Sequence, residues 1–172
     1  MTFVATFDFS LIHDDLMLVE ERLRQVASVD YPVLADILGQ LFPSGGKRLR
    51  PALVLLAARF REYDRAKAVA VATAVETLHT ATLVHDDLID NSLLRRGNPT
   101  LNTTLQSGVV VLIGDYLFGK SAELASQARN LDLGEIFART VATICDGELR
   151  NMLDGRRWGI TREQYYQRIY AK

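Results

Sequence analysis

The sequence predicts an all-α protein. Apolar residues recur at helical spacing along most of the chain, with no stretch of strand-like alternation. The run from Arg65 to Leu94 contains neither glycine nor proline. Glycine and proline gather instead in a few segments that read as breaks. A first helix is expected from Leu11 to Ala27, with Ser10 as its N-cap. A short helix from Val33 to Leu41 follows Pro32. Next comes a basic loop, Pro43-Ser44-Gly45-Gly46-Lys47-Arg48-Leu49-Arg50, and Pro51 suits the first turn of a helix from Ala52 to Phe60. The Arg65–Leu94 run is rich in Ala, Val and Leu on nearly every face, which predicts a central buried helix. Arg95-Arg96-Gly97-Asn98-Pro99 reads as a turn. Helices are expected over Val109–Ala128 and Leu133–Leu153, then a break at Gly155–Gly159. Thr161-Arg162-Glu163-Gln164 is a capping-box start to a last helix.

Bulk properties narrow the function. The 172 residues are 48% hydrophobic, enough for a sizeable core in about one domain. A net charge of -1 gives no general attraction to nucleic acid. The single cysteine, Cys145, cannot form an internal disulfide and fits a cytoplasmic location. The N-terminus lacks signal-peptide features, and no run of about 18 uncharged apolar residues predicts a transmembrane segment.

The tetrapeptide His-Asp-Asp-Leu occurs twice, at His13–Leu16 and His85–Leu88. In the second copy Asp86 has Asp90 four residues on, about 6 Å along a helix axis and on one face. Asp87 is adjacent, and His79 falls near the same stripe. Carboxylates this close on a buried helix repel unless a counter-charge is present. Magnesium suits them, because it takes one or two carboxylates and fills its remaining positions with water and phosphate oxygens. Arg95 and Arg96, just downstream, match phosphate geometry. The unit reads as a diphosphate site. In the first copy Asp14 has Leu18 at the metal-spaced position and no arginine pair follows. That copy is expected to be a solvated first turn, with Asp14 and Asp15 matched to the helix dipole and His13 without a role. The loop at Gly45-Gly46-Lys47 leads into a helix N-terminus, where free amides and the charges of Lys47 and Arg50 favour an anion.

Taken in order, these stretches resemble the trans-isoprenyl diphosphate synthases, or polyprenyl synthetases. The resemblance rests on Gly45-Gly46-Lys47-Arg48-Leu49-Arg50-Pro51, Glu76-Thr77-Leu78-His79, Leu83-Val84-His85-Asp86-Asp87-Leu88-Ile89-Asp90, Leu94-Arg95-Arg96-Gly97-Asn98-Pro99-Thr100, Gly114-Asp115-Tyr116-Leu117, Gly147-Glu148-Leu149 and Tyr170-Ala171-Lys172. It implies an isoprenoid-synthase-type helical bundle around a central cavity, of which residues 1–172 are the N-terminal part. It implies condensation of an allylic diphosphate, such as farnesyl diphosphate, with isopentenyl diphosphate. By that resemblance Asp86 and Asp90 hold Mg2+, Asp87 supports them, and Arg95 holds the allylic diphosphate. Gly46, Lys47, Arg50, His79 and Arg96 would hold isopentenyl diphosphate, with Lys172 a further substrate-binding and catalytic residue. Leu78, Ala81 and Thr82, one to two turns before Asp86, would set the floor for the growing chain. With no bulky aromatic at Ala81 or Thr82, a long polyprenyl product is expected.

The sequence departs from the family's pattern in its extent. It ends before the family's second aspartate-rich motif, so little or no activity is expected of the chain alone. Apolar stripes made for a missing half are expected to be exposed. A homodimer, with Val109–Ala128 in its interface and Gly108, Gly114 and Gly119 allowing close approach, or a complementing C-terminal half, is the implied partner. Three other readings remain. Glu76 and His79 have the Glu-x-x-His spacing of a di-iron bundle, which needs a second such pair. A terpene cyclase shares the aspartate-rich helix but does not explain a second cationic cluster. A non-catalytic diphosphate-binding or regulatory subunit of a heteromeric synthase would keep the same residues without turnover.

Overall fold

The computed structural model describes residues 9–42, 47–153 and 159–171. The chain divides into two compact units, Met1–Ala128 and Arg129–Lys172. In the first unit a 3-10 turn, Ser10–Ile12, leads into α1 (His13–Ala27), followed by α2 (Pro32–Leu41), α3 (Leu49–Ala58) and α4 (Arg65–Ile89). A two-stranded hairpin, β1 (Leu94–Arg95) and β2 (Asn98–Pro99), and a 3-10 turn at Leu101–Thr103 connect α4 to α5 (Ser107–Ser126). The second unit holds α6 (Leu131–Leu153) and α7 (Arg162–Ala171). The all-α expectation holds, and the helices fall close to their expected bounds. Among the described residues, no helix is long and apolar enough to cross a membrane.

As the composition of its sequence requires, α4 is the core of the first unit. Asp64 caps it, accepting the Lys67 N–H at 3.1 Å. It packs mainly on α5, then on α3 and α1. Val69, Ala72, Ala74 and Ala81 are buried, as are Leu23 and Val19 of α1, Leu38 of α2, Leu55 of α3 and Val110, Ile113 and Leu117 of α5. Each large aliphatic side chain removed from water contributes roughly 1.5–3 kcal/mol. The threonines of α4 bring polar atoms into this core without leaving them unpaired: Thr73 and Thr77 donate to the Val69 and Thr73 carbonyls at 2.8 and 2.9 Å.

The helix stops at Ile89, short of Leu94, because its end is closed by backbone hydrogen bonds. Asn91 is left-handed (φ 50°), its N–H donates to the Leu88 carbonyl at 3.2 Å, and the Ser92 N–H donates to Asp87 at 2.9 Å. This is a Schellman closure with Asn at the position glycine usually takes. The expected turn after it is a hairpin in which Arg95 pairs with Asn98. Its central residues, Arg96 and Gly97, both have positive φ (51° and 83°), as a two-residue hairpin loop of type I′ demands.

In the second unit the expected capping box is present. Thr161 Oγ1 accepts the Gln164 N–H at 3.2 Å, and Gln164 Oε1 accepts the Thr161 N–H at 2.9 Å. Neither α6 nor α7 fully buries a residue, and Ile136, Leu149, Met152, Leu153 and Ile169 are exposed.

Two expectations for the first helix are overturned. Ser10 is not its N-cap; it starts the 3-10 turn, and no side chain caps α1. More consequentially, Asp15 is not solvated. Its side chain is only 3% exposed. It accepts hydrogen bonds from Arg59 Nη2 at 2.8 Å, Tyr63 Oη at 2.6 Å and Arg65 Nε at 2.5 Å. Asp15 sits on the stripe of Ile12, Val19, Leu23 and Val26, so helical geometry turns it inward, and cations from the α3–α4 connection meet it there. Burial alone would raise its pKa, but the bonds from Tyr63, Arg59 and Arg65 outweigh that and hold it below the usual carboxylate range. His13 and Asp14 are exposed, as expected.

Candidate functional site

The last two turns of α4 present three carboxylates. Asp90, the C-cap residue, donates its backbone N–H to the Asp86 carbonyl at 2.8 Å, which places the two residues one turn apart on one face. Asp86 is half-buried and Asp90 exposed. Asp87 points inward, where Arg95 Nε donates to its Oδ2 at 2.8 Å. The Asp87 carbonyl also accepts Asn102 Nδ2 at 2.6 Å, tying the hairpin's far side to the helix end. Asp87 therefore positions Arg95, beside the half-buried Asp86 and the exposed Asp90. The hydrogen bond that Arg95 donates to Asp87 is the main cause that raises the Arg95 pKa, and the charges of Asp87, Asp86 and Asp90 add to it. Part of the repulsion expected among the carboxylates is thus relieved by Arg95.

Of the cationic residues of the basic loop, Arg50 acts on α4 through its charge. Lys47 and Arg50 are exposed at the start of α3. His79, on α4, is half-buried two turns before Asp86. Its pKa is lowered, first by burial and then by the positive charge of Arg50; Glu76 opposes this, and Arg95 and Arg96 add to it. Three guanidinium groups, from α3 and from the hairpin, therefore act on one neutral imidazole. The charges of Arg50, Arg95 and Arg96, from motifs that lie far apart in sequence, all act on His79.

Asp86 and Asp90 offer hard oxygen donors suited to magnesium. Asp87 does not, because its inward side chain is held by Arg95. No group of three or more His, Cys, Asp or Glu forms a metal cage among the described residues. Two carboxylates fit an ion that takes its other ligands from water and substrate phosphate, and they fit no all-protein site. The di-iron reading finds no support here, since it requires such a cage.

Of the remaining expected site residues, Gly46 and Lys172 lie outside the described residues. Leu78 and Ala81 are buried, Ala81 completely, whereas Thr82 is half-buried. Thr82 shares the helical stripe of His79 and Asp86; Ala81 falls on the stripe of His85. His85, to which the sequence assigned no role, packs on α5. Its Nε2 lies 3.1 Å from the Val111 carbonyl oxygen and its ring 5.4 Å from that of Phe118. A Cβ at Gly114 would fall 2.1 Å from His85 Nε2, so this glycine makes room within the chain. Gly108 and Gly119 face open space.

Two functional neighbours escape sequence reasoning. Arg48, read as part of the basic loop, is turned away into an ion pair with Glu20 and Glu76. Asn102 anchors the end of α4. The partners of Arg48 lie 28 residues away on either side, so no local pattern signals them. Asp15 was detectable, because it occupies an apolar-stripe position.

Residues 31–172 match the polyprenyl synthetase family model. Heptaprenyl diphosphate synthase component 2 of Geobacillus stearothermophilus is 39% identical over 164 residues, covering 95% of this chain and 51% of that protein. A decaprenyl diphosphate synthase from Rhodobacter capsulatus superposes with a TM-score of 0.86 at 36% identity, over 94% of this chain and 50% of its own. A polyprenyl synthase from Caulobacter crescentus, solved with calcium and isoprenyl diphosphate, gives 0.87 at 32% identity, over 94% and 49%. The chain spans about half the length of the relatives it matches. Its helices follow the isoprenoid-synthase fold of those structures over 94% of this chain. The chain belongs to the polyprenyl synthetase family.

Proposed function

We propose that this chain carries the first half of a site where an allylic diphosphate condenses with isopentenyl diphosphate to give a long trans-polyprenyl diphosphate. The action of the charges of Arg50, Arg95 and Arg96 on His79, beside the pair Asp86 and Asp90, carries this reading. The carboxylates of Asp86 and Asp90 would suit a metal-bound diphosphate, and the cations Arg50 and Arg96 a second one, as two diphosphate substrates require. Magnesium held by Asp86 and Asp90 would supply Lewis-acid charge to the leaving diphosphate. Arg95, fixed by Asp87, binds that diphosphate as it takes the C–O bonding pair. Gly46, Lys47, Arg50, His79 and Arg96 hold isopentenyl diphosphate, whose double bond attacks the allylic cation to form the new C–C bond. Loss of a proton restores a double bond. These charges are aimed at a developing anion, which is where electrostatic catalysis is strongest.

The small residues before Asp86 support a long product. Phe at the fully buried Ala81 must displace its neighbours. Thr82→Phe, on the half-buried Asp86 face, is therefore the cleaner test and is expected to shorten the product. Exposed Val109, Val111 and Leu112 on α5 support self-association as a homodimer. The one described cysteine, exposed and unpaired, fits a cytoplasmic setting.

The test is prenyl transfer by the pure chain with magnesium, labelled isopentenyl diphosphate and farnesyl diphosphate, with Asp86→Ala as control. Diphosphate binding with little or no turnover is expected of the chain alone. Turnover is expected once a polypeptide carrying the family's second aspartate-rich motif is added. Failure to bind either diphosphate overturns the proposal. A second reading, a non-catalytic subunit of a heteromeric synthase, is favoured by the Geobacillus relative's designation as component 2. Product formation that depends on a partner but survives Asp86→Ala would select it.

A further inference from the structure

We propose that Arg48 is a positioning residue for the isopentenyl diphosphate half of the site: clamped between Glu20 of α1 and Glu76 of α4, it sets the direction in which Lys47 and Arg50 present their charges. The inference rests on the function proposed above.

Arg48 stands between two exposed cations, yet its own side chain is only 12% exposed. Its Nε donates to Glu20 Oε1, its Nη2 to Glu20 Oε2 at 3.1 Å, and its Nη1 to Glu76 Oε1 at 3.0 Å. Glu20 thus receives a two-pronged guanidinium contact, a geometry that fixes orientation as well as distance. Both glutamates are themselves largely buried, at 17% and 13% side-chain exposure. The backbone of Arg48 is left-handed (φ 43°, ψ 39°), a conformation that favours glycine or asparagine. Arg48 is also the N-cap residue of α3, and its carbonyl accepts the Ala52 N–H at 3.0 Å. The residue that directs the chain into α3 is therefore the one tied to two other helices.

What the tie aligns is visible on α4. Glu76 lies one turn before His79, and Arg50, two residues past Arg48, acts on that same imidazole. One glutamate thereby ties the start of α3, where Lys47 and Arg50 stand, to the helix that carries His79.

The sign of a neutralising substitution separates this role from simple electrostatics. Glu20 and Glu76 are anions close to an anion site, so by charge alone Glu20→Gln and Glu76→Gln should tighten diphosphate binding. If they act through Arg48, the same substitutions weaken it. Affinity for isopentenyl diphosphate would be measured by calorimetry on the full chain, beside affinity for farnesyl diphosphate with magnesium and a thermal melt. Glu20→Gln, Glu76→Gln and Arg48→Gln are each expected to weaken isopentenyl diphosphate binding by about tenfold, as loss of an orienting partner does elsewhere. Farnesyl diphosphate affinity should stay within about twofold, because Asp86 and Asp90 do not depend on the clamp. The Arg48→Gln, Glu20→Gln double variant should lose no more than either single one. Tighter or unchanged isopentenyl diphosphate binding in the glutamate variants overturns the proposal, as does a parallel loss of both affinities that tracks the melting temperature. If the unaltered chain binds neither diphosphate, the proposed function falls and this inference with it; if it binds both, only the clamp is on trial.

Discussion

The chain carries the same tetrapeptide at the start of α1 and near the end of α4, and the two copies share more than their letters. In both, the second aspartate turns inward to arginine: Asp15 to Arg59 and Arg65, Asp87 to Arg95. In both, the first aspartate is more exposed than the second. They differ in what surrounds that first residue. Asp14 has Leu18 one turn on; Asp86 has Asp90. Asp14 stands in the first turn of a helix, where the dipole favours an anion, whereas Asp86 and Asp90 stand at a C-terminus, where it disfavours one. Concentrated negative charge at the wrong end of a helix calls for cations, and Arg95 stands close enough to answer. The inward aspartate is a structural device common to both copies. The Asp86–Asp90 pair belongs to the second alone.

Substitutions can break this comparison. Asp86→Ala or Asp90→Ala should lower prenyl transfer, measured with the complementing half present, by at least roughly 100-fold. Asp14→Ala should leave it unchanged, and a comparable loss there would erase the distinction between the copies. On stability the order reverses. Asp15→Ala removes three hydrogen bonds to a buried carboxylate and should cost about 2 kcal/mol in urea unfolding, with Arg59 and Arg65 left partly solvated. Asp87→Ala removes one side-chain bond and should cost about 1 kcal/mol.

The histidines differ as well. His13 is exposed, so His13→Ala should be silent. His85 requires the empty space at Gly114, and Gly114→Ala should destabilise by about 1–3 kcal/mol through overpacking, with the thermal midpoint as readout. Acid sharpens the role of Asp15. Its folded pKa lies below the ordinary 3.8, so its contribution is complete above that value and disappears as pH falls through the depressed one. Asp15→Asn should remove this part of the acid transition. His79 gives the smallest effect. Held neutral by burial and by Arg50, it takes up a proton less readily folded than unfolded. Stability should therefore decline as pH falls from about 6.5 toward its depressed folded value, and His79→Gln should flatten that decline.

Much of this was legible before any fold was known. Helix periodicity, the capping box at Thr161 and Gln164, the Asp86–Asp90 spacing and the Arg95–Arg96 pair are local patterns. A helical turn or a hairpin suffices to express each of them. The absence of strand patterning predicted an all-α chain for the same reason. Tertiary structure decided whatever depends on which helix lies beside which. Asp15 is a clamp because Arg59 and Arg65, 44 and 50 residues on, are folded against it. Arg48 leaves the cationic loop because Glu20 and Glu76 face it from two other helices. The charges of Arg50 and Arg96 act on His79 only when α3 and the hairpin pack beside α4. Burial and charge pairing are set by neighbours in space, so the sequence alone determined the helices and the metal-spaced aspartates, and packing decided which of its many charges would face a ligand and which would hold the protein together.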